Sequence, residues 1–242
     1  MARVAIITGA AKGLGFACAE RFATDGYHLA LVDADADGLS EAVRAMEAMG
    51  ARADAIPADI RGREACAAAV SAAVARFGGV DVLVNAAGVY PRRPVLDISA
   101  DDWQFVFQVN VLGTYFMMIE AIAAMRTRGG GRIVNVSSID GFKAHPANAH
   151  YAATKAAVIS LTRSLALEVA PDGILVNSVA PGPMATDTAK VSDWYGPMLA
   201  ALPTHQPIEP AEIANVIAFL SDPSNVSIAG ENVVVSGAGV IV

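Results

Sequence analysis

Two ionisable side chains, Tyr151 and Lys155, lie four residues apart in a segment whose apolar residues recur at helical spacing. On an α-helix this spacing places both side chains on one face, one turn apart. Such a tyrosine can exchange protons near neutral pH if its pKa falls from about 10 to about 7, which requires about 4 kcal/mol of preferential phenolate stabilisation. A surface tyrosine packed on a lysine stem has the same spacing, so the pair alone leaves both interpretations open.

A glycine-rich segment near the start of the chain could hold a phosphate group. Gly9, Gly13 and Gly15 stand between a strand-like run and a helical run. Glycines there allow a tight turn and the close approach of a pyrophosphate to a helix N-terminus, where free N–H groups and the helix dipole favour anions. The spacing is neither the usual G-x-G-x-x-G nor a Walker loop. The cluster therefore indicates a nucleotide only together with its context.

Part of that context is Asp33, at the end of the next strand-like run, "HLALVD". It lies about 20 residues beyond the loop, where a carboxylate hydrogen-bonds the ribose 2′-hydroxyl of a dinucleotide and repels a 2′-phosphate. Lys12, just before the second loop glycine, departs from this picture because its charge is opposite to that of Asp33. The alternative for Asp33 is a cap on a helix that begins near Gly38.

Composition narrows the class of protein. The 242 residues are 54% hydrophobic and carry a net charge of −7, and the 17 basic residues are scattered, so we expect one domain and no nucleic-acid partner. The longest uncharged run, 103–119, is interrupted by polar residues and predicts a buried helix, not a membrane span. No leader is visible at the N-terminus, which favours the cytoplasm. We expect Cys18 and Cys66 to be small core residues that form neither a disulfide nor a metal site.

Short Val/Ile-rich runs alternate with helical patterns along the chain. Six runs predict strands covered on both faces: 3–8, 28–33, 81–88, 132–138, 174–181 and 231–237. Alternation of this kind predicts an α/β fold, a single doubly wound Rossmann-type domain over residues 1–242 with a parallel sheet flanked by helices. Residues 181–210 are rich in Pro and Gly and contain Trp194 and Tyr195. They predict a long irregular segment, with a substrate lid at 183–209.

These motifs together resemble the classical short-chain dehydrogenases/reductases. The matching features occur in order: TGAAKGLG at 8–15, NAAG at 85–88, Asn110, Ser138, and Tyr151 with Lys155. The resemblance implies that Tyr151 is the proton donor and acceptor, and that Lys155 holds the nicotinamide ribose and lowers the pKa of Tyr151. It also implies that Ser138 hydrogen-bonds the substrate oxygen and that Asn110 carries a water-linked proton path to Lys155. The alternatives are a loop-capping serine and a satisfied core amide.

The resemblance further implies a set of cofactor contacts. They are Gly9, Lys12, Gly13, Leu14, Gly15, Asp33, Asp59, Ile60, Asn85, Ala86, Gly88, Tyr151, Lys155, Pro181, Gly182 and Thr186. Asp59 and Ile60 would contact the adenine, although an aspartate in that position could instead cap a helix. Pro181, Gly182 and Thr186 would meet the nicotinamide carboxamide.

We therefore expect an NAD-dependent oxidoreductase that interconverts a secondary alcohol and a ketone, and a homotetramer by analogy with the family. Eight residues are candidates for the substrate wall: Tyr90, Arg92, Arg93, Phe142, His145, His150, Met184 and Trp194. The rival functions are a 3-oxoacyl carrier-protein reductase and a noncatalytic nucleotide sensor. The intact set of four candidate catalytic residues argues against the sensor.

Charge near the expected entrance favours a free small-molecule substrate over an acidic carrier protein, because such carriers dock on basic surfaces. In the segments expected near the entrance, Lys190 is the basic residue, and it is outnumbered by the acidic residues Glu168, Asp172, Asp187, Asp193 and Glu209. Arg126 and Arg128 are the opposing observation, and the sequence does not place them relative to the entrance.

Overall fold

The computed structural model describes residues 2–241, which form a seven-stranded parallel sheet with helices on both faces. The strands are β1 (Val4–Thr8), β2 (His28–Asp33), β3 (Ala53–Pro57), β4 (Val82–Asn85), β5 (Gly131–Val136), β6 (Ile174–Pro181) and β7 (Asn232–Val235). Their order across the sheet is β3-β2-β1-β4-β5-β6-β7. The order reverses direction between β1 and β4, and a sheet of this kind binds ligands at that point, outside the carboxyl ends of its strands.

Nine α-helices connect or flank these strands. They are α1 (Gly13–Thr24), α2 (Ala36–Ala48), α3 (Arg63–Phe77), α4 (Ala100–Phe107), α5 (Thr114–Arg126), α6 (Ala149–Val169), α7 (Asp187–Lys190), α8 (Tyr195–Ala200) and α9 (Pro210–Ser221). Together with the sheet they confirm the predicted doubly wound α/β fold. The third strand was not among the six Val/Ile-rich runs because β3 is an edge strand whose sequence, ADAIP, is only partly buried.

Two apolar layers cover the sheet. One layer contains Leu14 and Phe22 of α1, Leu39 of α2 and Ile213 of α9. The opposite layer contains side chains of α3, α5 and α6, including Met117 of α5. Since both faces of the strands are buried, the core strands tolerate the near-continuous apolar runs seen in the sequence. Cys18 and Cys66 are both buried and unpaired, one in each layer, as small core residues.

The structure differs from the expectations in two segments. Residues 181–210 are not irregular throughout, because they contain α7, α8 and a parallel bridge between Met184 and Ile208. The predicted buried helix over 103–119 is interrupted by a π-helical stretch, Gln108–Gly113, between α4 and α5.

Among residues 2–241, one helical run is long and apolar enough to cross a membrane by length and composition. It is Ala100–Arg126, and 50% of its most apolar window is buried inside the protein. The buried methionines Met117, Met118 and Met125 of this run belong to one of the two core layers. This packing is that of a core helix, as the sequence predicted.

Candidate active site

A cleft with a volume of about 480 Å³ opens at the carboxyl ends of the strands. Most of the predicted site residues line it: Gly9, Lys12, Gly13, Leu14, Gly15, Asp33, Asp59, Ile60, Ala86, Gly88, Ser138, Tyr151, Pro181, Gly182 and Thr186. Three predicted residues, Asn85, Asn110 and Lys155, are buried behind its wall. The two groups therefore have different surroundings.

The glycine loop is shaped for close backbone contact. Gly9 follows β1 with a φ of +67°, a conformation that favours glycine. A β-carbon on Gly15 would lie only 2.0 Å from the carbonyl oxygen of Gly9, so the first turn of α1 packs directly on the loop. The helix begins at Gly13 without a side-chain cap. Its first N–H groups are thus available to an anion at the floor of the cleft.

Asp33 ends β2 and is held by two backbone donors. The N–H of Ala11 donates to one carboxylate oxygen at 3.1 Å, and the N–H of Asp35 donates to the other at 3.1 Å. The cap on α2 is Asp35, whose side chain accepts from the N–H of Gly38, so the alternative role for Asp33 as a helix cap is wrong. Each oxygen of the Asp33 carboxylate retains accepting capacity toward the cleft.

Asp59 and Ile60 lie on the same side of the cleft as Asp33. Asp59 does not cap α3, because the N-cap residue is Gly62 and it has no side-chain hydrogen bond. The Asp59 carboxylate instead accepts from the Arg61 guanidinium at 2.8 Å, and this hydrogen bond lowers the pKa of Asp59. Ile60 is buried among apolar side chains, and Arg61, which the sequence reading did not single out, also lines the cleft.

The loop after β4 is fixed by Thr8, another residue that the sequence reading did not single out. The Thr8 hydroxyl oxygen accepts from the N–H groups of Ala86 and Ala87, each at 3.1 Å. Asn85 lies beneath this loop and donates to the Asn135 side chain at 2.9 Å. Asn85 thus links β4 to β5 inside the sheet, and its amide does not reach the cleft.

Asn110 lies in the π-helical stretch, and its side chain connects the loop after β4 to α6. Its side-chain oxygen accepts from the N–H of Val89 at 2.9 Å, and its amide nitrogen donates to the carbonyl of Val89 at 2.9 Å and to the Thr154 hydroxyl at 3.1 Å. Its backbone carbonyl accepts from the Thr114 hydroxyl at 2.9 Å. The amide is thus fully engaged, which removes the cost of burying it.

Lys155 lies one turn after Tyr151 on α6, and both belong to the same helix face, as predicted. Its Nζ is buried, donates to the carbonyl of Val136 at 2.8 Å, and lies 5.6 Å from the centre of the Tyr151 ring. Burial lowers the pKa of Lys155 from 10.5 to about 8. Lys155 therefore lies behind the tyrosine and loses its proton more easily than an exposed lysine.

Tyr151 differs from the expectation in the direction of its pKa. Burial raises the pKa of Tyr151, and the groups that act against burial are a hydrogen bond with Ser138 and the positive charge of Arg92. The physical reason for the rise is that burial penalises the charged phenolate.

Ser138 follows β5 and serves in two ways. Its hydroxyl oxygen accepts from the N–H of Asp140 at 3.1 Å and so caps the 3-10 turn Ile139–Gly141. This is the local role that the sequence left open. Since that bond uses an acceptor site, the Ser138 hydroxyl proton stays free to donate beside Tyr151.

The segment after β6 forms the far wall of the cleft. Gly182 donates its N–H to the carbonyl of Val235 at 2.9 Å, and a β-carbon there would meet Ile208 and Ser236 at 3.0 Å. The Thr186 hydroxyl caps α7 by accepting from the N–H of Ala189 at 3.2 Å. Pro181 ends β6 and is buried.

Half of the eight residues predicted to form the substrate wall line the cleft. Tyr90, Arg92, Met184 and Trp194 line the cleft, whereas Arg93, Phe142, His145 and His150 do not. The sequence reading missed Asp140 and Asn148, which line the cleft and hydrogen-bond each other. Asp140 is also 2.6 Å from the Nδ1 atom of His145. A carboxylate two residues after Ser138 was visible in the sequence, but its partners depend on the loop conformation.

Comparisons with known proteins agree with this geometry. The family described as short chain dehydrogenase matches residues 3–195. A 3-oxoacyl-[acyl-carrier-protein] reductase of Staphylococcus aureus is 35% identical over 240 residues, which cover 98% of each chain.

Two solved structures share the fold closely. A 7α-hydroxysteroid dehydrogenase in complex with NADH and 7-oxo glycochenodeoxycholic acid has a TM-score of 0.94 at 31% identity, over 98% of this chain and 94% of that one. A variant of the actinorhodin polyketide ketoreductase with NADPH has a TM-score of 0.93 at 30% identity, over 98% and 97%. The family match, the similar relatives and the shared fold agree. The chain belongs to the short-chain dehydrogenase/reductase family of nicotinamide-dependent oxidoreductases.

Proposed function

We propose that this enzyme uses NAD(H) to interconvert a secondary alcohol and a ketone on a free small molecule, with Tyr151 as the acid/base. The observation that carries the proposal is the meeting of Ser138 and Tyr151 at the wall of the cleft, with Lys155 directly behind the tyrosine. These are a hydrogen-bond donor, a titratable hydroxyl and a buried cation, the set of groups that carbonyl reduction requires.

Each residue has a defined task in this proposal. Tyr151 gives its proton to the substrate oxygen during reduction and takes it back during oxidation, while the Ser138 hydroxyl donates a hydrogen bond to the same oxygen. Lys155 holds the nicotinamide ribose of the cofactor. Asn110 carries a water-linked proton path to Lys155 and fixes the backbone of Val89, which lines the cleft. The nicotinamide, when bound, supplies or accepts the hydride.

The residues of the cleft fit a dinucleotide. The close packing of Gly15 on Gly9 leaves no room for a side chain on Gly15, and the N–H groups at the start of α1 suit a pyrophosphate. The preference for NAD over NADP rests on Asp33, since its carboxylate lines the cleft and would repel a 2′-phosphate. Lys12 is exposed at the same rim and is the opposing charge.

The choice between a free substrate and an acidic carrier rests on where the charges lie. Arg126 pairs with Asp172 at 2.7 Å and Arg128 pairs with Asp81 at 3.1 Å. Asp81 and Asp172 precede β4 and β6, so both pairs lie at the amino edge of the sheet, away from the cleft. This removes the two arginines as a docking surface beside the entrance.

The same location corrects part of the charge argument from sequence. Asp172 is paired at the amino edge and Glu168 lies in the last turn of α6, so neither contributes to the entrance. The acidic residues of segment 183–209 remain, of which Asp187 begins α7. The proposal of a free substrate therefore rests on the acidic residues of segment 183–209.

Segment 183–209 completes the proposed single domain as a cover for the substrate. Met184, Trp194 and Met198 of this segment line the cleft together with Tyr90 of the opposite wall. Homotetramer formation belongs to the proposal by family analogy, and light scattering of the purified protein tests it. A cytoplasmic location is also part of the proposal.

The test measures the turnover of a panel of substrates, monitored through the absorbance of NADH or NADPH. The panel contains small secondary alcohols and ketones, a 3-oxoacyl group on an acidic carrier protein, and the same acyl group on a minimal thioester. We expect turnover of a free alcohol or ketone with NAD(H), and loss of that turnover in Tyr151→Phe. A strong preference for the carrier-bound group that weakens as salt rises would favour the carrier-protein reductase instead.

A further inference from the structure

The substrate end of the cleft contains an arginine that the proposed reaction does not use. Arg92 lines the wall next to Tyr90. Its guanidinium carbon lies 4.8 Å from the centre of the Trp194 ring, and one of its terminal nitrogens lies 3.6 Å from the sulfur of Met198. Trp194 therefore covers one face of the guanidinium group and Met198 meets one terminal nitrogen, while the other N–H donors of the side chain have no hydrogen-bond partner within residues 2–241.

No acidic side chain within residues 2–241 forms an ion pair with Arg92. Its neighbour Arg93 is different, because it is bound to Asp102 at 3.1 Å and does not line the cleft. Asp140 is the acidic residue on the same side of the cleft, but its two oxygens are engaged by His145 and Asn148. The guanidinium of Arg92 is thus a half-buried cation whose donors have no carboxylate partner in the described chain.

The other acidic residues of the cleft are also engaged, and they lie on the side of the second and third strands. Asp33 ends β2 and accepts from two backbone N–H groups, and Asp59 follows β3 and binds Arg61. Neither carboxylate on that side is a partner of Arg92, which lines the cleft together with Tyr151.

We propose that the substrate carries a carboxylate and that Arg92 binds it, so that the enzyme acts on hydroxy acids and oxo acids; this assignment rests on the proposed function. A guanidinium presents parallel N–H donors that match the two oxygens of a carboxylate, and such charge-assisted pairs are stronger and more directional than neutral hydrogen bonds.

The location of Arg92 links the carboxylate to the reacting carbon. Arg92 lines the same cleft as Tyr151 and lies two residues after Tyr90, whose ring centre is 6.3 Å from that of Tyr151. One small molecule can therefore reach both groups, with its carboxylate on Arg92 and its alcohol or ketone carbon at Tyr151. The number of carbons between the two is set by the cleft, and a graded series of substrates measures it.

The experiment uses matched substrate pairs with NAD(H) and NADP(H). Each pair is a secondary hydroxy acid and its methyl ester, in a series that moves the hydroxyl one carbon at a time away from the carboxyl group. We expect kcat/KM for the best acid to exceed that for its ester by roughly 10- to 100-fold, the usual range for losing a hydrogen-bonded charge pair.

Three variants identify the residue responsible. Arg92→Met should remove the advantage of the acid over its ester, mainly through KM, so that the two substrates of a pair are turned over with similar kcat/KM. Arg92→Lys should restore only part of the advantage, because lysine keeps the charge and loses the planar fork. Arg93→Met is the matched control and should behave like the wild type.

A second measurement reads binding without turnover. In the Trp103→Phe background Trp194 is the only tryptophan, and its fluorescence reports on the guanidinium stacked against it. We expect the oxo acid of the preferred pair to change this fluorescence with saturation, its methyl ester to do so far more weakly, and Arg92→Met to abolish the response.

The outcomes separate the two proposals. Equal turnover of acids and esters by the wild type overturns the carboxylate assignment and leaves the alcohol–ketone chemistry standing. An Arg92-dependent preference for a phosphopantetheine thioester over a pantetheine thioester, with no preference for acids, overturns it in favour of a phosphate. Arg92-dependent fluorescence changes with no oxidation or reduction of any substrate keep the carboxylate site and overturn the proposed function.

Discussion

Replacing Lys155 with methionine should remove activity and at the same time stabilise the folded protein. Lys155 is buried, and burial lowers its pKa from 10.5 to about 8. In free energy, this difference means that folding the charged lysine into the protein costs about 3 kcal/mol at neutral pH. Methionine has a similar unbranched stem and no charge to desolvate.

The expected gain is smaller than that cost because one contact is lost. Nζ of Lys155 donates to the carbonyl of Val136 at 2.8 Å, and loss of this bond costs about 1 kcal/mol. The net prediction for Lys155→Met is about 2 kcal/mol of added stability at pH 7.

The sign of the pH dependence follows from proton binding. The unfolded chain keeps the lysine proton up to about pH 10.5, while the folded protein releases it near pH 8. Between these values the unfolded state binds more protons, so the wild type gains stability as the pH rises. From pH 7 to pH 9 the advantage of the variant should shrink by roughly 1 kcal/mol.

The assay is urea unfolding at fixed protein concentration and without cofactor, monitored by far-ultraviolet circular dichroism at pH 7 and pH 9. Lys190→Met, at an exposed position on α7, is the control and should leave stability nearly unchanged at both pH values. If Lys155→Met is less stable than the wild type at pH 7, or if its advantage does not change with pH, the reasoning about a costly buried cation is refuted.

Three further outcomes are expected. Tyr151→Phe should lower kcat by about 10²- to 10⁴-fold, the range for loss of a general acid/base, while NADH titration shows unchanged affinity; retained turnover would assign the proton to another group. Asp33→Ser combined with Ala34→Arg should shift the ratio of NADPH to NADH affinity by roughly 10-fold or more toward NADPH, and equal affinities in the unmodified protein would show that the carboxylate does not discriminate. Gly15→Ala should abolish nucleotide binding and reduce the free energy of unfolding by about 1–3 kcal/mol, because its β-carbon would collide with the carbonyl of Gly9; normal binding in calorimetry contradicts this.

The sequence predicted the parts of the site that depend on spacing along one element. Tyr151 and Lys155 share a face because helix geometry alone places residues i and i+4 together. Asp33 lies at the cleft because β2 ends there, and the carboxyl ends of parallel strands meet at one edge of the sheet.

Features that depend on contacts between distant segments were not predicted. Asp140 is engaged by His145 and Asn148 only because the loop after the 3-10 turn folds back on itself. The direction of the Tyr151 pKa was also missed, since burial depends on how many elements cover the hydroxyl. The ion pairs of Arg126 and Arg128 show the same limit, because a sequence does not say at which edge of the sheet a helix ends.

The π-helical stretch Gln108–Gly113 makes the length of this segment as important as its composition. A π-helical turn holds one residue more than an α-helical turn, because its hydrogen bonds span five residues and not four. Deleting a single residue there would let α4 and α5 join as one uninterrupted α-helix with little change in their relative orientation, but it would move the side chains within the stretch to new positions. Asn110 would then lose its bonds to Val89. Insertions and deletions in this stretch are therefore far more damaging than most point substitutions, so natural relatives that keep the asparagine should also keep the residue count around it.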